Sequence, residues 1–321
     1  METRRVAGVG IEVGIVVDVS EVHELAPLFE KHGLARLVPH LPVLALPSIR
    51  LLQSDIVAPT GTCHLGGLPD APEGFVWPRL RDGARVSGEA DIAAPLAFLA
   101  QLSWAQLKPF DVENVLPSSG GLLLFAAFSG WSVLAVPVRA FGAAPSAPPD
   151  ELARVLPCFS LRLEREWTLA SYAFHGTIGG GDSRLCFEDV LAPGVEFLEL
   201  SDRERNAYGD LRDRLRLAGR PFHRVLGHAD YEQNPMRLDL ERVAQGIGLD
   251  YETYLRLCNP DEALTQRLKR DALASKWQLA AQIGCFSGDE LWGDGGTYYS
   301  WCRERDFAGD ALCFVGDGQC G

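Results

Sequence analysis

The chain has 321 residues, of which 47% are hydrophobic, so it can bury a substantial core in one large domain or two smaller ones. Its 43 Asp and Glu residues outnumber 30 Lys and Arg residues, which gives a formal net charge of −13. That balance excludes the broad positive surface that nucleic acids and anionic membranes require, so neither is expected as a partner.

Localisation is predicted to be cytoplasmic. Residues 1–20, METRRVAGVGIEVGIVVDVS, are broken by glycine and acidic residues and lack the continuous apolar stretch of a secretory signal. The eight cysteines never form a Cys-x-x-Cys pair. Their modest density is typical of reduced, mostly buried thiols.

Residues 1–45 are predicted to form an N-terminal extension with a strand and a short helix. The stretch IEVGIVVDV is strand-like, and SEVHELAPLFEKHGL follows it, with Ser20 able to cap a helix and Gly33 able to end it. Three prolines should then keep the chain extended: Pro39, Pro42 and Pro47.

Residues 46–140 are predicted to form a first, strand-rich unit. Their apolar runs are short, rich in β-branched and aromatic residues, and interrupted by glycine and proline. Gly130, between LLLFAAFS and WSVLAVPV, suggests a hairpin turn. The stretch FGAAPSAPPD, residues 141–150, has the composition of a linker.

Residues 151–321 are predicted to form a second unit with a helical insertion. Ser201 and Glu204 form a capping box, after which Tyr208, Leu211 and Leu215 recur at helical spacing. Another helix should run through DEALTQRLKRDALAS, and strands return at KWQLAAQIG and GTYYSWC. This partial segregation predicts an α+β fold with mixed, largely antiparallel sheets and flanking helices.

The two units echo each other. PLAFLAQLSW precedes GGLLLFAAF in the first, and KWQLAAQIGC precedes GDGGTYYSW in the second, with Gln101 and Gln282 at matching places. The echo predicts internal duplication about a pseudo-twofold axis. If the glutamines are buried, both ends of each amide need partners, which favours a role in clamping the backbone.

Motifs of the familiar enzymes are missing from the sequence. There is no Gly-x-Ser-x-Gly elbow or Walker loop, and GVGIEVG follows no strand as a dinucleotide loop would. Cys63 and His64 are adjacent, but neighbours in an extended segment point in opposite directions, so a buried thiol is favoured over a nucleophile. We therefore predict no cofactor and lean against an enzyme.

Two sets of candidate residues remain. Weak metal candidates lie in the acidic, glycine-rich stretch SGDELWGDGGTYY, where carboxylates can supply oxygen ligands: Asp289, Glu290 and Asp294. A turn fixed by side-chain hydrogen bonds is the favoured alternative there. The candidates for ligand binding or interaction are His64, Trp77, Gln101, Gln282, Trp292 and Asp294.

An ordered set of motifs resembles the YwqG-like family of bacterial proteins over about residues 46–321. The set includes HLGGLPDAPEGFVWP, FLAQLSW, LPSSGGLLLFAAF, VLGHADYEQ, WQLAAQIG and LWGDGGTYYSW. The matching signature residues are Gly66, Gly67, Pro69, Pro72, Trp77, Pro78, Gln282, Trp292, Gly293, Asp294 and Gly296. The block HADYEQNP is an unusual version, because an aliphatic residue more often precedes the glutamine there.

The resemblance implies an α+β fold with internal duplication, and it implies no activity, because the family is a domain of unknown function. Relatives often occur near secreted polymorphic toxins, which implies an immunity or partner-binding role. The first hypothesis is thus a non-enzymatic protein-binding module, with a basic partner attracted by the negative charge. The sequence leaves the oligomeric state open.

Two alternatives stay open. One is a small-molecule- or metal-binding protein, or an enzyme, that uses a cleft between the two units, since ligand sites favour such interfaces. His64, Trp77, Trp292 and Asp294 would line that cleft. The other places the function in residues 1–45.

Overall fold

The computed structural model describes residues 21–54, 56, 58–79, 94–127, 133–175, 184–187, 195, 198–216, 223–231, 236–247, 262–285, 296–307 and 314–319. The protein is α+β, and its main element is a ten-stranded antiparallel sheet. The strand predicted before Ser20, and Ser20 itself, lie outside the described residues, as does Gly130.

The strands are β1 (Ala45–Ser54), β2 (His64–Leu65), β3 (Ala97–Ser103), β4 (Gly121–Ala126), β5 (Val133–Val138), β6 (Phe159–Leu169), β7 (Ala173–His175), β8 (Arg184–Cys186), β9 (His223–Val225), β10 (Trp277–Gly284), β11 (Thr297–Arg303) and β12 (Phe314–Gln319). Their order in the main sheet is β12, β11, β10, β9, β1, β6, β2, β3, β4, β5. Strands β7 and β8 form a separate pair.

The α-helices are α1 (Ala26–Lys31), α2 (Leu41–Leu44), α3 (Trp104–Leu107), α4 (Asp202–Arg216), α5 (Arg237–Ala244), α6 (Glu262–Ser275) and α7 (Glu304–Phe307). Short 3-10 helices cover Val22–Leu25, Ala35–His40 and Lys108–Phe110. Among the helices that the structure describes, none has the length and apolar character needed to cross a membrane.

The segment before β1 is helical, and the extended prediction for its prolines was wrong at two positions. Pro39 lies inside a 3-10 helix, and Pro42 lies in the first turn of α2, where its missing N–H costs nothing. Burial outweighs the local preference, because Leu37, Leu41 and Leu44 pack in one core cluster that also contains residues of α4. Pro47 lies in β1, as expected.

Helix α4 begins with the predicted capping box. The Glu204 N–H donates to Ser201 Oγ over 3.3 Å, and the Ser201 N–H donates to Glu204 Oε2 over 2.9 Å. Tyr208, Leu211 and Leu215 are buried, as the helical spacing predicts. The Tyr208 hydroxyl donates to Ala170 O over 2.8 Å, which fixes the helix to the end of β6.

The sheet curls until its two edge strands, β5 and β12, touch. Side chains from β1 to β6 and from β9 to β11 meet in one core cluster, which includes Ile49, Leu102, Leu124, Leu163, Val225, Ile283 and Tyr298. Smaller clusters cover β3–β4 and β10–β11 from the other face. At the contact between the edges, a Cβ added to Gly316 would lie 2.3 Å from Val133 O.

We predict that Gly316→Ala lowers the free energy of unfolding by about 1 to 3 kcal/mol, because the added methyl group would force β12 away from the Val133 backbone. Urea denaturation measures the change. Gly209→Ala is the control, because nothing lies within 4 Å of a Cβ there and alanine favours helix α4. A loss at Gly316 no larger than that at Gly209 would show that the edges do not depend on close contact.

Candidate functional site

The loop after β2 needs its two glycines. Gly66 and Gly67 have φ values of 60° and 69°, which disfavour any side chain. A Cβ on Gly66 would lie 2.0 Å from Pro157 O, and one on Gly67 would lie 2.9 Å from Cys158 Cβ. The Gly66 N–H donates to Leu99 O and the Gly67 N–H to Leu156 O, so the loop joins β3 to the segment before β6.

Gln101 holds the next part of this loop. Its Oε1 accepts the Asp70 N–H over 2.8 Å, and its Nε2 donates to Asp70 Oδ2 over 2.8 Å and to Thr62 O over 3.0 Å. Asp70 Oδ2 also accepts the Gly61 N–H over 2.7 Å. Gln101 is fully buried, and both ends of its amide are satisfied.

The loop after β9 makes the corresponding bonds. Leu226 and Gly227 have φ values of 63° and 76°, and the Leu226 N–H donates to Leu279 O over 2.8 Å. The Asp230 N–H then donates to Gln282 Oε1 over 2.9 Å. Sequence reasoning found the two glutamines and missed their aspartate partners, although each aspartate follows a glycine by three residues.

The residues paired with the two glutamines across the strands differ: one is a histidine and the other an arginine. His64 is the cross-strand partner of Gln101, and Arg224 is that of Gln282. The His64 ring nitrogens lie 3.1 Å from Thr62 O and 3.3 Å from Leu68 O, whereas the Arg224 guanidinium lies 2.8 Å from Asp230 Oδ2. The first loop is therefore held by neutral amide bonds, and the second also contains a buried ion pair.

Prolines and Trp77 complete the first loop. Trp77 is buried, and its Nε1 donates to Leu96 O over 2.8 Å. The carbonyls of the three signature prolines each accept a backbone N–H. Pro69 O accepts the Ser146 N–H, Pro72 O accepts the Phe75 N–H, and Pro78 O accepts the Leu96 N–H. The loop is fixed by these contacts along most of its length.

Several predicted residues lie outside the described ranges: Asp289, Glu290, Trp292, Gly293 and Asp294. Gly296 is described and buried immediately before β11. In the described part of the chain, no group of three or more His, Cys, Asp or Glu side chains could hold a metal ion.

Cys63 is a buried thiol. Its Sγ accepts the Ser103 N–H over 3.1 Å, and burial raises the pKa of the thiol to about 12. Since the thiolate is the nucleophile, this environment suppresses the reactivity of Cys63. Both ring nitrogens of His64 lie against backbone carbonyls, those of Thr62 and Leu68, so the imidazole is not placed as a base for this thiol.

A cleft of about 540 Å³ lies between the β3–β4 connection and the region around the end of α6. Its walls come from residues far apart in the sequence: Glu113, Asn114 and Val115 on one side, and Ala274, Ser275, Lys276 and Glu304 on the other. The wall formed by 113–115 belongs to the predicted first unit and the other wall to the second. Neither His64 nor Trp77 lines it.

Asp111 shapes the first wall. Its carboxylate accepts the Val115 N–H over 3.1 Å and the Leu116 N–H over 2.7 Å, and it pairs with Lys108 Nζ at 3.0 Å. Asn114, with φ of 58°, makes the turn, a conformation that asparagine tolerates better than most residues. The wall therefore has a defined backbone shape.

Glu241 fixes the second wall. Its carboxylate accepts the Ser275 hydroxyl over 2.7 Å, Trp277 Nε1 over 2.9 Å and Arg303 Nη2 over 3.0 Å. Between two of these anchored residues lies Lys276, with φ of 47° at the end of α6. The Glu304 N–H donates to the Lys276 carbonyl over 3.1 Å, which joins α7 to this wall.

The cleft is electrostatically unbalanced. Lys276 Nζ pairs with Glu304 at 2.9 Å, but Glu113 has no ion pair with any residue in the described ranges. Although Glu113 is exposed, partial desolvation of its carboxyl raises the pKa of that group, and the negative charges of Asp111 and Glu304 raise it further. A cation placed in the cleft would relieve this repulsion.

A family model described as domain of unknown function, DUF1963, matches residues 63–314. The chain belongs to the DUF1963 family. The matched range contains both glutamine-held loops and all residues that line the cleft. Among curated proteins, none matches this DUF1963 chain.

We predict that Gln101→Glu destabilises this DUF1963 protein more than Gln282→Glu does. In the first variant a new carboxylate would face that of Asp70, whereas in the second Arg224 lies directly across the strand pair. Urea denaturation should show a larger loss for Gln101→Glu at pH 8 than at pH 5, where one carboxyl can be protonated. Equal losses at both positions would contradict the assigned contacts.

We expect a thiol reagent to modify Cys158 at least about ten times faster than Cys63 in the folded protein, because Cys158 is exposed and the thiol of Cys63 is buried and protonated. Peptide mapping by mass spectrometry after a timed maleimide reaction measures both rates. In urea the two rates should converge, which controls for the intrinsic reactivity of each peptide. Fast labelling of native Cys63 would contradict its structural role.

Proposed function

We propose that this DUF1963 chain is a non-enzymatic, YwqG-like module that binds a protein with a basic surface through the cleft between residues 113–115 and 274–276. The neutralisation of a toxin by an immunity protein is one form that such binding takes. The observation that carries the proposal is the cleft itself, where the Glu113 carboxylate lines one wall and forms no ion pair with any described residue.

The cleft suits a lysine or arginine side chain. A volume of about 540 Å³ is large enough for one such side chain to enter. Its ammonium or guanidinium group would meet Glu113, and the pair at Lys276 and Glu304 would supply a further acceptor. The net charge of −13 would also speed the approach of a basic protein by electrostatic steering.

The use of the signature residues supports a binding role over catalysis. Gln101, Asp70 and Gln282 form hydrogen bonds that hold backbone loops, and Trp77 holds the first loop against the core. The polar atoms of these side chains are already used in hydrogen bonds that stabilise the fold. A role in moving protons or attacking a substrate would require them to leave their backbone partners.

The repeated bonds also support our proposal that the fold arose by internal duplication and has a pseudo-twofold relation. In each loop, two consecutive positive φ values precede an aspartate whose N–H donates to a strand glutamine. The cleft then lies between one element of each predicted unit. We also propose a cytoplasmic location, because the modest number of cysteines is typical of a protein with reduced thiols.

The test is a calorimetric titration of the wild type and of Glu113→Gln with the protein encoded by the neighbouring gene. We expect wild-type binding that weakens as the pH falls through the raised pKa of Glu113, because protonation removes the charge that the partner contacts. Glu113→Gln should bind about tenfold more weakly at pH 8 and should lose most of this pH dependence.

Glu73→Gln is the matched control, because Glu73 is exposed in the first loop and does not line the cleft. It should bind like the wild type at each pH. If neither the gene neighbour nor any other basic protein tested binds the wild type, the proposed function fails. If binding occurs and Glu113→Gln matches the control, the binding site lies elsewhere.

A thermal-shift experiment separates the alternative of a small cationic ligand in this cleft. Its supporting observation is the cleft volume, which a small molecule with an ammonium or guanidinium group would also fit. A thermal shift that depends on Glu113 and is produced by arginine methyl ester or spermidine, without any protein partner, would favour this alternative.

A further inference from the structure

Lys276 lines the cleft in a backbone conformation that a lysine rarely adopts. Its φ of 47° lies in the left-handed region, where glycine or asparagine is more usual. Asn114, on the opposite wall, has a similar φ of 58° but belongs to a residue type that tolerates it. Such strain persists only where the surrounding structure imposes it, and it is common at functional sites. The lysine at this position therefore calls for a reason beyond the local turn.

The buried carboxylate of Glu241 anchors the residues on both sides of Lys276. It accepts the Ser275 hydroxyl over 2.7 Å and Trp277 Nε1 over 2.9 Å. The Arg303 guanidinium lies 5.0 Å from the centre of the Trp277 ring and pairs with the same carboxylate at 3.0 Å. Because both neighbours are held in this way, Lys276 is kept at one place in the cleft wall.

Glu304 is joined to Lys276 by two separate contacts. The Glu304 N–H donates to the Lys276 carbonyl over 3.1 Å, and Lys276 Nζ lies 2.9 Å from Glu304 Oε2. The side chains of the ion pair are 67% and 44% exposed, and ion pairs between exposed groups contribute little to stability. Since the backbone bond involves neither side chain, the Glu304 carboxylate can change its partner while α7 stays in place.

Lys276 supplies a cation from the chain itself to the cleft in which we propose that a partner's cation binds. Glu113 and Glu304 are the two carboxylates that line the cleft, and the charge of Glu304 acts on Glu113. An entering cation would meet Glu113, which has no ion pair with any described residue. It would reach Glu304 only by replacing the ammonium group of Lys276, and repulsion between the two cations opposes its entry.

We propose that Lys276 determines the specificity of this cleft, because its ammonium group competes for Glu304 with any cation that enters. The inference rests on the proposed function and adds an internal competitor to it. Lys276 lowers the affinity of the cleft for free cations such as amino acids and polyamines. A cation on a partner protein is held in place by the partner's other contacts, so it can displace Lys276 where a free cation does not.

A model compound measures the competition directly. The probe is Nα-acetyl-arginine methylamide, which presents one arginine side chain, titrated into the isotope-labelled full chain and followed by NMR chemical shifts at pH 8 and low salt. Lys276→Gln should bind it about fivefold more tightly than the wild type does. The gain should shrink at high salt, because both the attraction and the competition are screened.

Lys269→Gln is the matched control, because it removes the same charge from α6 at a residue that does not line the cleft. It should bind the probe like the wild type, and so should Lys276→Arg, which keeps the competing charge. Adding Glu304→Gln to Lys276→Gln should abolish the gain, because the released carboxylate is the group that the probe contacts.

Two results would overturn the role of Lys276: equal binding of the probe by Lys276→Gln and Lys269→Gln, or binding by neither. The proposed function is decided separately, by titration with the protein encoded by the neighbouring gene. Binding of that protein that requires Glu113, and that Lys276→Gln strengthens no more than Lys269→Gln does, would keep the proposed function and reject the competition.

Discussion

The hydrogen bond from a loop aspartate N–H to a buried strand glutamine is the interaction on which the rest of the fold depends. Gln101 makes it to Asp70, and Gln282 makes it to Asp230. An unsatisfied amide at these buried positions would cost about 1 to 3 kcal/mol, so each glutamine and its loop stabilise each other. Through these bonds β3 and β10 determine where the loops after β2 and β9 lie, and those loops in turn cover the neighbouring strands.

The two loops show how one backbone arrangement accepts different chemistry. In the first, the Asp70 carboxylate is balanced by N–H groups of Gly61 and Gln101. In the second, the Asp230 carboxylate is balanced by arginines, which requires further carboxylates nearby. Arg224, which lies across from Gln282, therefore needs a second carboxylate, and Glu166 on β6 supplies it at 3.1 Å from Arg224 Nε.

Local patterns in the sequence predicted the elements well where local energetics decide the conformation. The Ser201 and Glu204 capping box and the strands at 277–284 and 297–303 are examples. Prediction failed where tertiary burial decides, as at Pro39 and Pro42, whose segment is helical because its leucines reach the core. The glutamines were visible because they interrupt apolar strands.

The cleft could not be predicted in the same way. Glu113 and Lys276 are ordinary surface residues in their own segments, and only the curled sheet brings the β3–β4 connection next to the end of α6. The buried ion pairs of Glu166 and Asp230 were hidden for the same reason, since their arginine partners come from β1, β9 and α4: Arg50, Arg224 and Arg216. The spacing of residues within one segment does not indicate which distant segments come into contact in the folded chain.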